Sequence, residues 1–202
     1  MNGIERVHDS YVIGRRVEIL ARHIEGLLEE NAHVLDVGCG DGAIGACLQD
    51  RRPDLRYEGA DVIVRPHARI PVREFDGRHL PYTDDGFDAV LAVDVLHHAA
   101  EPEGLLAELA RVTREHIIIK DHRLDGLLAG PTLRFMDRVG NERHGVDLPH
   151  NYWREARWRE AFARLDLRVE YWTREVGLYP WPASWLFDRG LHFIAVLRTT
   201  GA

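Results

Sequence analysis

Between residues 33 and 120, short apolar runs alternate with segments that carry apolar residues at helical spacing, and this alternation restricts the fold more than any other feature of the chain. The runs lie at residues 33–37, 56–61, 72–75, 87–93 and 116–119. Ala43, Ile44 and Leu48 mark a helix after the first run, and Leu105, Leu106, Leu109 and Val112 mark one after the fourth, with Pro102 suited to its first turn. The run 87–93 is apolar apart from Asp88, as a parallel strand buried on both faces would be. Strand–helix alternation of this kind builds a doubly wound parallel sheet with right-handed crossovers. Such sheets bind ligands beyond the C-terminal ends of their strands. Those ends carry residues 36–42, Asp61, Asp76, residues 94–98 and residues 120–122, so the polar groups converge on one edge.

The flanks complete one domain. Residues 11–30 read as an amphipathic helix through Ile13, Val17, Leu20, Ile24, Leu27 and Leu28. After residue 120 the alternation stops. Residues 121–150 read as an inserted cap with its own short helix, Pro131 in the first turn and Gly140 at the C-terminal stop. Asn151 is placed to cap a helix that buries Trp158, Ala161, Phe162 and Leu165. Residues 167–173 and 191–198 read as two last strands joined by an aromatic-rich loop. The expected division is a helix over 1–30, a cofactor core over 31–120, a substrate cap over 121–150, and a helix with the final strands over 151–202.

Composition narrows the partners. A net charge of −7 forms no broad footprint for nucleic acid. The two cysteines, Cys39 and Cys47, have no disulfide-motif or metal-ligand spacing, which fits a reducing, cytoplasmic compartment. Residues 1–10 lack the apolar stretch of a signal peptide, and no apolar run reaches membrane-spanning length. Lys120 is the single lysine among 26 Lys and Arg residues, and it falls at a strand end.

The loop Gly38-Cys39-Gly40-Asp41-Gly42 joins a strand to a helix, where glycine permits a tight turn and a close ligand approach. Asp61 ends the second strand, 21 residues after Gly40, where a carboxylate can accept hydrogen bonds from both hydroxyls of a ribose. Asp76 ends the third strand and can accept one from an adenine amino group. Taken alone the loop also satisfies the dinucleotide fingerprint, so a nicotinamide-dependent oxidoreductase stays open at this point.

Residues 34–42 closely resemble the glycine motif of class I S-adenosylmethionine-dependent methyltransferases. Gly59-Ala60-Asp61, the stretch 75–82, and residues 87–90 through Asp94-Val95-Leu96-His97-His98 with Pro102 resemble the same group. Their order and spacing are similar to the type 11 branch, which includes quinone-biosynthesis methyltransferases. The resemblance covers roughly residues 31–120. It implies S-adenosylmethionine as cofactor and a seven-stranded Rossmann-like sheet, mostly parallel, whose last strand is antiparallel. It implies Gly38 and Gly40 under the methionine end, Asp61 on the ribose, Asp76 with Gly77 at the adenine, and the stretch from Asp94 at the methionine amino group. The cofactor-binding set read in this way is Tyr11, Asp36, Gly38, Cys39, Gly40, Asp61, Val62, Asp76, Gly77, Asp94, Val95 and His98.

The implied reaction is an in-line displacement on the sulfonium methyl by a small-molecule acceptor, in which the protein chiefly orients the reactants. A general base is needed only where the acceptor must lose a proton. His97, Lys120 and His122 are the catalytic candidates. His98 fits better as a group that bonds backbone and packs on the cofactor. Lys120 either serves the acceptor as an anion contact or desolvated base, or closes the sheet edge in an ion pair with Asp94 or Asp121. Asp94 and Asp121 could share a divalent metal, but a third oxygen ligand is not evident, so no metal site is expected. His122, Asn141, His144 and His150, with Phe135 and Met136, are the cap residues that could face an acceptor. Trp181 and Trp185 could wall an aromatic acceptor, clamp their own loop or fill a dimer contact. The expected partner is a small molecule, with neither nucleic acid nor membrane, for a monomer or homodimer. A cofactor-binding protein without turnover is the alternative.

Overall fold

The computed structural model describes the backbone of residues 3–141 and 149–199, and the side chains of 14–137 and 149–199. Seven strands form one sheet in the order β3-β2-β1-β4-β5-β7-β6, comprising β1 (His33–Val37), β2 (Arg56–Asp61), β3 (Val72–Glu74), β4 (Phe87–Val93), β5 (Thr113–His122), β6 (Leu167–Thr173) and β7 (His192–Thr199). The pairs β1–β2, β1–β4, β2–β3 and β4–β5 are parallel, and β7 runs antiparallel to both β5 and β6. This is the Rossmann-like sheet with a reversed last strand that the glycine-motif resemblance implies.

Successive strand residues face opposite sides of a sheet, and each side here has its own apolar layer. Leu35, Val37, Val90, Ile117 and Ile119 pack with α3 (Pro102–Val112) and α5 (Glu155–Arg164), through Leu106, Leu109, Trp158 and Phe162. Val34, Leu91, Ile118 and Ile194 pack against α1 (Gly3–Glu25) and α2 (Ala43–Arg51), through Leu20, Ala21, Ile24 and Leu48. Burying one such side chain contributes about 1.5–3 kcal/mol. The two apolar layers therefore fix the sheet.

Several boundaries differ from those read in the sequence. Helix α1 starts at Gly3 and ends at Glu25, and Leu27 and Leu28 lie in the turn that follows, where the Leu27 N–H reaches the Ile24 carbonyl at 2.9 Å. Strand β5 extends to His122, because β7 pairs with it as far as His122↔His192. Lys120, Asp121 and His122 are thus strand residues and do not follow the strand. Asp76 stands two residues beyond β3. Helix α5 begins at Glu155, and the Asp125 carboxylate accepts the Glu155 N–H at 2.8 Å. Asn151 is not its cap. Its side-chain amide donates to the Ala99 carbonyl, and its backbone N–H donates to the His97 carbonyl, each at 2.8 Å. The inserted helix α4 (Ala129–Asn141) starts near Pro131 as read but continues past Gly140.

Candidate active site

The glycine loop lies between β1 and α2 with Gly38 at φ 70° and Gly40 at φ 61°, backbone that L-residues rarely adopt. A Cβ at Gly38 would lie 2.4 Å from Val95 Cγ2, so glycine there lets Val95 close under the loop. A Cβ at Gly40 would meet nothing nearer than the Arg65 guanidinium at 3.8 Å, which leaves a cradle open to a ligand. The Asp61 carboxylate spans this loop. One oxygen accepts the Gly40 N–H at 2.8 Å and the other the Ile63 N–H at 3.0 Å. Each carboxylate oxygen retains acceptor capacity for a ribose hydroxyl. Cys39 turns its thiol toward Gly59, and burial, with help from Asp36 and Asp61, pushes that thiol well above its usual range. Asp36 is buried behind the loop, accepts the Tyr57 hydroxyl at 3.2 Å, and is pushed up to about 7 by burial.

Beyond β2 the apolar side chains of Val62, Ile63 and Val64 are exposed, Val62 at 48%. Gly77, at φ 79°, lies opposite Val62. Asp76 caps its own turn: one oxygen accepts the Arg78 and His79 N–H groups at 2.8 and 2.7 Å, and the other pairs with His79 Nδ1 at 3.0 Å. These bonds, His79 first, hold the Asp76 carboxyl far below its ordinary range. An exposed apolar ledge beside a fixed carboxylate suits a purine base with an exocyclic amino group. The residues present therefore fit an adenosyl cofactor.

Asp94, just after β4, sits at φ 56°, with its N–H on the Lys120 carbonyl at 2.8 Å. Lys120 is buried and grips both oxygens of Asp94, at 2.6 and 2.8 Å, and Arg16 of α1 donates to Asp94 as well. Burial would raise the Asp94 carboxyl, but Lys120, Arg16 and His122 together hold it well below the usual range. Burial pulls the Lys120 ammonium down against the pull of Asp94. Lys120 thus forms the ion pair that closes the sheet edge.

His97 and His98 form a 3-10 turn (Leu96–His98) after β4. His97 is buried, and its Nδ1 lies 2.6 Å from the buried Asp121 carboxylate. Its Nε2 is buried without a hydrogen bond and faces Asp137 of α4 at 3.7 Å. Burial would lower the His97 pKa, and the carboxylates of Asp121, Asp94 and Asp137 lift it above the ordinary value. His122 Nδ1 lies 3.1 Å from Asp94 Oδ1, out of hydrogen-bond alignment. His150 Nδ1 lies 3.3 Å from Asp137, and the Tyr152 hydroxyl donates to the same carboxylate. His98 Nδ1 reaches the Pro149 carbonyl at 3.4 Å, a backbone bond of the kind expected of it.

The edge thus gathers Asp94, Val95, His97, His98, Lys120 and His122 in one region and Gly38, Gly40, Asp61, Val62, Asp76 and Gly77 along the loops beside it. The side chains of Tyr11, Asn141 and His144 lie outside the described residues. Arg16, Asp137, Tyr152 and His192 were not anticipated. Arg16 lies on the polar face of the first helix, and Asp137 lies one residue beyond Met136, so neither had a motif to mark it. Trp181 and Trp185 are 85% and 79% exposed, and so do not clamp their loop.

A glycine-cradled loop, a carboxylate at the end of β2 and a reversed last strand define a Rossmann-like α/β fold with a cleft that fits a nucleoside cofactor. Residues 35–118 match the family described as methyltransferase domain. A Streptomyces halstedii methyltransferase, GfsG, is 35% identical over 94 residues, which cover 40% of this chain and 34% of that protein. A fatty-acid O-methyltransferase from Mycolicibacterium smegmatis is 38% identical over 95 residues, covering 42% of this chain and 34% of the relative. The chain spans about a third of the length of these relatives. Among solved structures, a chain of the Haloferax volcanii complex with the Trm112 methyltransferase activator superposes with a TM-score of 0.71 at 20% identity, covering 96% of each chain. A SAM-dependent methyltransferase from Aquifex aeolicus gives 0.60 at 19% identity over 86% of this chain and 85% of that one.

Proposed function

We propose that the chain is an S-adenosylmethionine-dependent methyltransferase acting on a small-molecule acceptor. The observation that carries this reading is the Asp61 carboxylate, held across the open Gly40 cradle by two backbone N–H groups. Asp61 would hold the ribose, Val62 and Gly77 would flank the adenine with Asp76 at its amino group, and the segment from Asp94 to His98 would meet the methionine end. Bound S-adenosylmethionine supplies an activated methyl group, so the chain's own task is to orient the acceptor and exclude water. Residues 121–150 serve as the acceptor cap, and His97 and His122 are the groups on that side, while Lys120 positions Asp94. The chain acts as one domain, a monomer or homodimer of the cytoplasm. Among its described residues no helix is long and apolar enough to cross a membrane.

The acceptor has an apolar part. Leu127, Leu128 and Phe135 of the cap segment and Trp181, Trp185 and Leu186 of the aromatic loop are all exposed, and Phe135 stacks on Phe187 at 6.3 Å. Apolar surface of this extent beside a site is commonly a binding surface. The relatives that carry lipid names, the fatty-acid O-methyltransferase and the Mycobacterium tuberculosis phthiotriol/phenolphthiotriol dimycocerosates methyltransferase, support the same reading. Calorimetric titration with S-adenosylhomocysteine and with NAD tests the cofactor assignment. Saturable binding of the first alone is expected, and binding of NAD alone overturns it. Transfer of labelled methyl from S-adenosylmethionine to an acceptor then separates an enzyme from a protein that binds without turnover.

A further inference from the structure

The acidic–histidine cluster under the cap holds more negative charge than the described basic side chains neutralise. Asp94 is answered by Lys120 and Arg16. Asp121 is 0% and Asp137 8% exposed, and among the described ion pairs both face only imidazoles. A buried carboxylate costs several kcal/mol unless a cation accompanies it. His97 stands between the two. Its Nδ1 bonds to Asp121 at 2.6 Å, while its buried Nε2 makes no hydrogen bond and points at Asp137 Oδ2 from 3.7 Å. An imidazole that gives its Nδ1 proton to a carboxylate presents a lone pair at Nε2, and here that lone pair faces another carboxylate oxygen.

We propose that His97, His98, Asp137 and His150 form a binding site for one divalent transition-metal ion, placed between the His97–His98 turn and α4. The ligating atoms of His97, His98 and Asp137 lie within 4.8 Å of one another, and His150 Nδ1 lies 3.3 Å from Asp137 Oδ2. Two ligands each about 2.1 Å from a tetrahedral ion are roughly 3.4 Å apart. The 3.3 and 3.7 Å edges bracket that separation. The Asp121–His97 bond supplies the carboxylate partner that metal-ligating histidines characteristically have, and it fixes Nε2 as the coordinating atom. Three imidazoles with one carboxylate favour zinc, cobalt, nickel or iron over magnesium and calcium. The neighbouring set Asp94, His97, Asp121 and His122 is also close enough to ligate. The Lys120 ammonium bonded to Asp94 would repel a divalent ion there, so that set stays an ion pair. A metal under the cap would draw an acceptor oxygen into place and acidify its proton, with His97 acting as ligand.

The site is tested on the full chain without cofactor, so the result does not depend on methyl transfer. After chelator treatment the folded protein is titrated with Co2+, Zn2+ and Mg2+, following heat, metal content and the Co2+ visible absorption. One equivalent of Co2+ or Zn2+ should bind, Co2+ with the spectrum of a nitrogen-rich site of low coordination number, while Mg2+ should not compete. Asp137→Asn and His150→Ala should each weaken Co2+ binding by about tenfold or more, and Asp61→Ala should leave it unchanged. His150 is part-exposed, so its variant is expected to fold, and circular dichroism checks this. Failure of the folded wild type to take up a stoichiometric ion overturns the proposal. Uptake that both variants leave untouched does the same, and His97 would then be an imidazolium between two aspartates.

Discussion

Asp36 shows what burial does to one acidic residue. Its recorded partner is the Tyr57 hydroxyl, and burial lifts its pKa to about 7. In the unfolded chain the same carboxyl ionises near 3.9. Between those values the unfolded chain has lost the proton and the folded one keeps it, so the fold loses stability as pH rises from about 4 to about 7 and levels off above. The slope is about 1.4 kcal/mol per pH unit, up to about 4 kcal/mol in all. Asp36→Asn keeps the shape and removes the titration. Denaturant unfolding at pH 5 and pH 7.5 should therefore show the variant gaining on wild type at the higher pH, and an equal difference at both would mean that Asp36 is ionised in the fold. Asp61 is held in place by the Gly40 and Ile63 N–H groups. Asp61→Ala should cost cofactor affinity by at most about 1.5–3 kcal/mol for each charge-assisted bond lost. A folded variant with an unchanged S-adenosylhomocysteine dissociation constant would remove Asp61 from the ribose position.

At the scale of the element, the core strands were legible because their burial leaves them apolar, and their ends because the polar residues start there. Strand β5 was read short because Lys120, Asp121 and His122 are polar, whereas β7 pairs with all three and buries them. No local pattern reports that a distant antiparallel neighbour will extend a strand. Asn151 failed as a helix cap for a related reason. Asp125, 30 residues before Glu155, fills the cap instead, and a cap contributed from another segment leaves no trace in spacing. The glycine loop was readable as a tight turn, and Gly38 and Gly40 both take the positive φ that such a turn requires. Gly38→Ala would place a Cβ 2.4 Å from Val95 Cγ2 on backbone at φ 70°. The left-handed conformation costs about 1–2 kcal/mol and the clash about 1–3 kcal/mol. Adding Val95→Ala should recover the clash and leave the conformational cost, so the double variant should fall between wild type and Gly38→Ala in midpoint. Equal midpoints for the single and double variants would show that Val95 does not press on the loop.

Across the whole molecule, one buried charge cluster joins three elements that are far apart in sequence. Lys120 comes from β5, Asp94 from the end of β4 and Arg16 from α1, which brings the first helix over the edge where the cofactor is proposed to lie. The ion pair was one of two readings of Lys120 open in the sequence, and the third partner, Arg16, was invisible because it belongs to a solvated-looking helix face. The energetics of such a pair are lopsided. Removing one partner strands a buried charge and costs about 3–5 kcal/mol, while neutralising both is often close to neutral. Arg16 is the more exposed partner, with 47% of its side chain accessible, so water screens its share and it cannot replace the ammonium. Lys120→Met keeps the length of the side chain and should lower stability by that amount. Asp94→Asn retains a residue type that tolerates the positive φ of this position. The double variant Lys120→Met/Asp94→Asn should therefore recover most of the loss, read as a return of the denaturant midpoint at unchanged m value. A double variant no more stable than Lys120→Met would mean that Lys120 supports the fold through packing alone, and that Asp94 relies on Arg16 and His122 for its charge.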